Sequence, residues 1–114
     1  MRTINRSAVV VFPKQPFLDW LHRVDLTSGE LTLADLCRDP GIYLLPEYGL
    51  ETELEAYLED VCQEIFEEQL NVWFRAEELW PEERNFEVFR QWFECQFHSM
   101  LFDLADGPLI VEDP

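Results

Sequence analysis

Basic residues are scarce in this sequence. Only 8 lysines and arginines stand against 24 aspartates and glutamates, which gives a formal net charge of −16. Contacts to the phosphates of DNA or RNA require a basic surface, so we expect no direct binding of nucleic acid. An anionic membrane surface would repel the chain for the same reason. Any charged partner is therefore expected to be a basic protein.

Glycines and long apolar runs are also scarce. The 4 glycines are isolated, so they cannot form a glycine-rich phosphate-binding loop or a nucleophile elbow. The apolar run at residues 8–12 is stopped by Pro13 and is too short for the core of a signal peptide. No segment approaches the roughly 20 apolar residues that span a bilayer. We expect no membrane association.

The spacing of the cysteines gives no recognisable disulfide or metal-binding pair. The three cysteines, Cys37, Cys62 and Cys95, are odd in number and widely spaced, and no Cys-x-x-Cys motif occurs. This usage is typical of free thiols in a reducing compartment, and it predicts a cytoplasmic protein.

Length and hydrophobic patterning predict one α+β domain covering residues 1–114. Residues 8–12, 42–45 and 108–111 are short apolar runs bounded by proline or glycine, which is typical of strands. The predicted order is β-α-(α)-β-α-α-β. Three short strands beneath helices favour a two-layer sandwich, a small three-strand sheet covered by helices.

The helices are predicted from capping residues and apolar spacing. A first helix begins at Pro16, and Thr32 with Asp35 forms a capping box for a short one. Thr52 with Glu55 predicts a second capping box for a helix over residues 53–73. Its expected core stripe is Leu54, Leu58, Val61, Ile65 and Val72, flanked by Tyr57, Cys62 and Gln69.

The last helix is predicted from a long apolar stripe that ends before Asp106 and Gly107. A second apolar set runs partly separate from it, so this helix is either central in its layer or part of a subunit interface. The main stripe is Phe86, Phe89, Phe93, Phe97, Met100, Leu101 and Leu104, and the second set is Val88, Trp92, Cys95 and Phe102.

Acidic charge is concentrated in the middle of the chain. Residues 51–87 carry thirteen acidic and two basic residues, whereas residues 1–50 carry six acidic and five basic ones. The acids of the long helix lie off its core stripe, so they form either a solvated outer face or a docking surface for a basic partner. The candidate partner-binding residues are Glu55, Glu59, Glu64, Glu67, Glu68, Trp80 and Trp92.

Candidate chemistry lies in the second half of the chain. Glu94, Cys95 and His98 have helical spacing that could bring metal ligands together, with His22, Cys62 or Asp103 completing the set. No second recognisable ligand pair exists, so we expect neither a metal nor a cofactor.

Catalysis has a similarly incomplete set of residues. His98, Asp103 and Arg84 are the candidate catalytic residues, and Cys95 with His98 could form a nucleophilic pair. The surroundings of Cys95 are apolar and acidic, which would raise a thiol pKa. The alternative for Arg84 is an ion pair with Glu82, Glu87 or carboxylates of the long helix, while Trp80 caps the core.

A resemblance covers roughly residues 41–105. The motif Leu79-Trp80-Pro81, then Arg84, Phe89-x-x-Trp92-Phe93, Phe97-His98-Ser99-Met100 and Asp103-Leu104 resembles a group of small uncharacterised bacterial proteins of unknown function. The resemblance implies a small bacterial cytosolic protein and brings no activity or cofactor with it.

These observations favour a non-catalytic binding or assembly protein. We expect a homodimer that forms through surplus aromatic surface or a strand edge. Two alternatives stay open: a small enzyme or metal protein using the last helix with Arg84, and an acidic mimic that blocks a basic nucleic-acid-binding surface.

Overall fold

The computed structural model describes residues 1–113 and has an α+β fold, as predicted. The strands are β1 (Arg2–Thr3), β2 (Ser7–Pro13), β3 (Gly41–Leu45), β4 (Phe93–His98) and β5 (Phe102–Asp103). The helices are α1 (Gln15–Val24), α2 (Leu33–Leu36), α3 (Glu51–Trp73) and α4 (Phe86–Trp92), with 3-10 turns at Leu26–Ser28 and Glu77–Leu79. Within residues 1–113, no helix is both long enough and apolar enough to cross a membrane.

A three-stranded antiparallel sheet in the order β3-β2-β4 forms one layer. The register pairs Val9 with both Tyr43 and Phe97, so these three side chains point to the same face. We call this the helix face, because the buried side chains of α1 and α3 form one core with Val9 and Val11. The opposite side of the sheet is the open face, where Ile42 and Leu44 are 65% and 57% exposed.

Strand β2 lies in the centre of the sheet because both of its faces are apolar. Val9 and Val11 are fully buried on the helix face. On the open face Ala8 is buried, whereas Val10 and Phe12 are half-buried. Only the helix face of β2 is therefore covered completely.

The predicted last helix is wrong beyond Trp92. Helix α4 ends there, and residues 93–98 form strand β4, the third strand of the sheet. The run Phe93-Glu94-Cys95-Gln96-Phe97-His98 alternates apolar and polar residues, which is the period of a half-buried strand. Phe93 and Phe97 also fit a helical stripe continuing from Phe89, and this ambiguity produced the wrong prediction.

The third predicted strand, at residues 108–111, is not a strand in the structure. These residues are extended and exposed, with Ile110 at 78% and Val111 at 87%. Instead, β1 pairs with β5 and continues the β2–β4 ladder as a two-stranded ribbon. We call residues 1–6 and 99–107 the arm, and residues 108–113 the tail.

The arm is exposed over nearly its whole length. Only Ile4, Leu101 and Asp103 are half-buried among its residues. The radius of gyration is 15.6 Å, whereas a compact chain of this length has about 13 Å. The arm therefore extends beyond the packed body of the protein.

Of the two predicted capping boxes, one is present in the structure and the other is not. Thr32 and Asp35 form the predicted capping box at α2. Helix α3 begins at Glu51, before Thr52, and Leu50 at its N-cap makes no side-chain cap. Because Thr52 is already inside the helix, its pairing with Glu55 as a capping box was wrongly predicted.

An aromatic cluster joins the helices to the sheet. Phe66 of α3 contacts Phe89, Trp92 and Phe93, with ring centroids 6.1, 5.4 and 5.2 Å apart. Phe17 of α1 lies 5.5 Å from Phe93 and completes the cluster. Trp92 was predicted to bind a partner, but it is half-buried here and belongs to the packed body.

Helix α3 also differs from its predicted stripe. Phe66 and Leu70 are fully buried, whereas Val72 is 62% exposed. Buried Gln69 donates through Nε2 to the hydroxyl of Tyr43 at 2.7 Å, which ties α3 to β3. A Cβ atom on Gly41 would lie 2.4 Å from that nitrogen, so a larger residue at position 41 would displace the Gln69 amide from the Tyr43 hydroxyl.

Two substitutions on α3 distinguish the observed core from the predicted stripe. Phe66→Ala is expected to lower the free energy of unfolding by about 3–5 kcal/mol, because it leaves a cavity among four aromatic rings. Val72→Ala, at an exposed position, should change it by less than about 0.5 kcal/mol. Urea denaturation measures both, and equal losses for the two variants would contradict the observed packing.

Candidate binding surfaces

The candidate catalytic residues belong to three separate surroundings. His98 is exposed on the open face at the end of β4. Asp103 accepts a hydrogen bond from Arg2 across the β1–β5 ribbon. Arg84 donates to Glu67 of α3 at 3.3 Å and to the carbonyl of Pro81 at 2.6 Å. No contact joins any two of the three within the described part of the chain.

The candidate metal ligands are separated by the change from helix to strand. Successive side chains of β4 point to opposite faces, so Cys95 is on the helix face and His98 on the open face. Glu94 shares the open face with His98, but four residues of strand separate them by about 13 Å. Among residues 1–113, no group of three or more potential ligands could hold a metal ion.

The three residues suggested to complete a metal site also lie apart. His22 is hydrogen-bonded through Nε2 to the carbonyl of Leu31 at 3.0 Å. Cys62 is buried in α3, where its thiol donates to the carbonyl of Glu59. Asp103 pairs with Arg2. Each of these groups is thus held by its own local partner.

Arg84 and Trp80 have the structural roles that the sequence offered as alternatives. Arg84 pairs with a carboxylate of α3, and its guanidinium carbon lies 5.9 Å from the centre of the Trp80 ring. Trp80 packs against the core and donates through Nε1 to the carbonyl of Phe74 at 2.7 Å. The segment between α3 and α4 is therefore anchored at both residues.

The outer face of α3 carries most of the exposed negative charge. Seven of its carboxylates are exposed, and within residues 1–113 none of them has a basic partner within 4 Å. They are Glu51, Glu53, Glu55, Glu59, Asp60, Glu64 and Glu68. Glu67, also a candidate, is half-buried and paired with Arg84. The acidic face of α3 thus has no internal compensation.

A cleft of about 460 Å³ lies between the first turns of α3, helix α4 and strand β4. Its apolar lining consists of Leu58, Phe86, Phe89, Phe93 and Phe97, with the thiol of Cys95. Lys14 and Arg90 lie where β4 begins, and Lys14 donates through Nζ to the carbonyl of Arg90 at 3.3 Å. Glu51 and Glu55 line the α3 side.

Sequence reasoning missed this cleft because it depends on β4. The detectable signal was the alternation of residues 93–98, which places three apolar side chains on one face of a strand. Read as a helix, the same residues gave no groove and no strand edge.

Cys95 is an unreactive thiol in this environment. Burial, with a smaller contribution from the charge of Glu94, raises its pKa to about 11, although Arg90 acts in the opposite direction. Such a thiol is almost entirely protonated at neutral pH, so it is not activated as a nucleophile.

The thiol of Cys95 should therefore be alkylated slowly at neutral pH. The rate with iodoacetamide is expected to rise about tenfold per pH unit and to level off only near pH 11. Mass spectrometry of peptides measures the rate at each pH, with the urea-unfolded chain as the control. A rate that levels off below pH 8 would contradict this environment.

We compared the chain with protein-family models, with curated proteins and with solved structures, and none gives a significant match.

Proposed function

We propose that this chain is a non-catalytic binding and assembly protein that acts as a homodimer and presents an acidic helical face to a basic partner. The observation that carries the proposal is the separation of two kinds of surface. Exposed carboxylates lie along α3, whereas most of the exposed large apolar side chains lie on the open face, the arm and the tail.

The apolar surface supports self-association. Ile42 and Leu44 on the open face are followed by Phe102 and Leu104 in the arm, with exposures between 46% and 79%. Exposed large apolar side chains in such number are typical of interaction sites. Self-association through this side keeps the acidic helices of two copies away from the contact, because α3 covers the opposite face of the sheet.

The separation of the polar groups supports a role without catalysis. General acid–base or nucleophilic chemistry requires groups within hydrogen-bond reach of one another. His98, Asp103 and Arg84 each have a different environment, and the thiol of Cys95 is not activated. Three free cysteines support the cytoplasmic location, because secreted chains of this size commonly pair them.

Self-association should respond to salt in the direction opposite to most electrostatic binding. Light scattering at micromolar concentration is expected to give twice the chain mass. The dimer should persist or tighten as salt rises, because salt screens repulsion between two chains of charge −16 and leaves apolar contacts intact. A monomer under all salt conditions would remove the homodimer from the proposal.

Binding of a basic partner should depend on the α3 carboxylates. The paired substitutions Glu55→Gln with Glu59→Gln, or Glu64→Gln with Glu68→Gln, are expected to weaken it about two- to tenfold at low salt. The dissociation constant of a partner captured from the source cell is measured for each variant. The control variant, Glu30→Gln with Asp39→Asn, changes the net charge equally but lies outside α3.

The same experiment distinguishes docking from mimicry of nucleic acid. If the captured partner is a nucleic-acid-binding protein and DNA competes for the same surface, the acidic face acts as a mimic of the phosphate backbone. Retention of the partner at high salt, with no effect of the paired substitutions, would contradict an electrostatic role for α3.

A further inference from the structure

Strand β4 has a free edge. The sheet order β3-β2-β4 leaves it with one neighbour in the described residues. The amide of Lys14 donates to the carbonyl of Trp92 at 2.7 Å, which sets the phase of the β2–β4 ladder. In an antiparallel ladder the backbone N–H and C=O groups of every second residue point to the neighbouring strand. Those of Cys95 and Phe97 point the other way, to the free edge of β4.

The cleft lies directly beside this edge. Phe93, Cys95 and Phe97 line it from β4, while Leu58 and Phe86 line it from the helices. An extended segment added to β4 would satisfy the free backbone groups and place alternate side chains against the aromatic rings. This is the geometry of recognition by strand addition, in which the backbone supplies affinity and the pockets supply specificity.

The tail has the composition of the missing strand. Its residues Leu109, Ile110 and Val111 are apolar, and they are 63%, 78% and 87% exposed. Two of the three are β-branched, which favours the extended state. No partner within residues 1–113 covers them, although the sequence pattern alone predicts a strand here.

The turn before the tail is structured. Arg2 donates to the carbonyl oxygens of Ala105 and Gly107 at 3.2 and 2.6 Å, and Asp103 accepts from the amide of Ala105 at 2.9 Å. Gly107 has a φ of 91°, in the region that favours glycine. These contacts fix the place from which the tail leaves the arm.

The tail cannot reach the cleft of its own chain from this turn. Folding back at Gly107 would place residues 109–111 beside β5. Cys95 precedes Asp103 by roughly eight residues, about 26 Å along an extended strand. The apolar part of the tail is therefore available to a second copy and not to its own β4.

Charge sets the direction in which the tail would bind. Lys14 and Arg90 outnumber Glu94 at the start of β4, and Glu112 and Asp113 follow the apolar residues of the tail. In an antiparallel arrangement the two acids arrive beside the two bases. In a parallel arrangement they would approach Glu51 and Glu55 and be repelled. The antiparallel pairing is therefore favoured.

We propose that the tail of one copy adds as an antiparallel strand to the free edge of β4 in a second copy, with the side chains of Leu109 and Val111 in the aromatic cleft and Ile110 on the opposite face of the added strand. The exchange is reciprocal and closes a two-fold dimer. This inference rests on the proposed self-association and adds a second contact, at the edge of β4, to the apolar one on the open face.

The first test compares two exposed apolar positions by light scattering and sedimentation. Val111→Asp in the tail is expected to raise the dissociation constant of the dimer at least about tenfold, because it removes a buried apolar contact. Leu26→Asp, at a position 92% exposed in the 3-10 turn after α1, should leave it unchanged.

A charge exchange tests the direction. Arg90→Glu should weaken the dimer, and adding Glu112→Lys with Asp113→Lys should restore it. No restoration would overturn the antiparallel arrangement.

A cross-link tests the contact itself. In the variant Val111→Cys, mild oxidation at alkaline pH should join the introduced thiol to Cys95. When isotopically labelled and unlabelled chains are mixed, some of the linked peptides should join a labelled chain to an unlabelled one. Linked peptides that always carry the same label would place the contact within one chain and overturn the inference.

The outcomes separate this inference from the proposed function. A dimer that is unaffected by Val111→Asp but weakened by Leu44→Lys would retain self-association through the open face and overturn the role of the tail. A wild-type chain that is monomeric throughout would overturn both. If the wild-type chain is monomeric but binds a synthetic apolar peptide whose sequence differs from that of residues 107–113, the inference is likewise overturned, because the cleft then serves a different protein.

Discussion

Packing among aromatic rings at the junction of α4 and β4 is the interaction on which the rest of the structure depends. Phe89, Trp92 and Phe93 lie where the chain changes from helix to strand, and all three contact Phe66 of α3. Edge-to-face aromatic pairs contribute about 0.5–1.5 kcal/mol each beyond the area that they bury. This packing holds α3 against the sheet, positions β4 beside β2, and leaves the cleft on the outer side of β4.

The two-layer arrangement explains why the surface is divided. A sheet covered on one face by helices leaves its other face open, and β2 is apolar on both. The helices that cover the first face carry the acids on their outward side, since only that side faces solvent. The exposed carboxylates of α3 and most of the exposed large apolar side chains therefore lie on different parts of the surface, which allows one part for self-association and the other for a basic partner.

The separation of the candidate catalytic and metal-binding residues also follows from the fold. Cys95 and His98 would be neighbours on a helix, but a strand sends them to opposite faces. The strand that separates these groups also creates an unpaired edge, and natural edges are commonly covered or paired. In this protein the features that favour binding are therefore backbone groups and apolar side chains. Of the candidate catalytic residues, Asp103 and Arg84 have structural partners and His98 is exposed.

Local patterning by itself determined the α+β class, the strands at β2 and β3, the capping box at Thr32 and the start of the first helix, because each depends on residues close together in the chain. It also offered an ion pair for Arg84, with Glu82, Glu87 or a helix carboxylate as the alternatives, and the structure selects Glu67 of α3. Only the tertiary structure decided whether residues 93–98 form a helix or a strand. Phe93 and Phe97 satisfy both periods, and β4 forms because β2 offers its backbone groups and Phe66 and Phe17 offer a surface for Phe93. The formation of β4 depends on contacts between residues that are distant in sequence. It separated the candidate ligands, created the free edge and left the tail without a strand to join in its own chain.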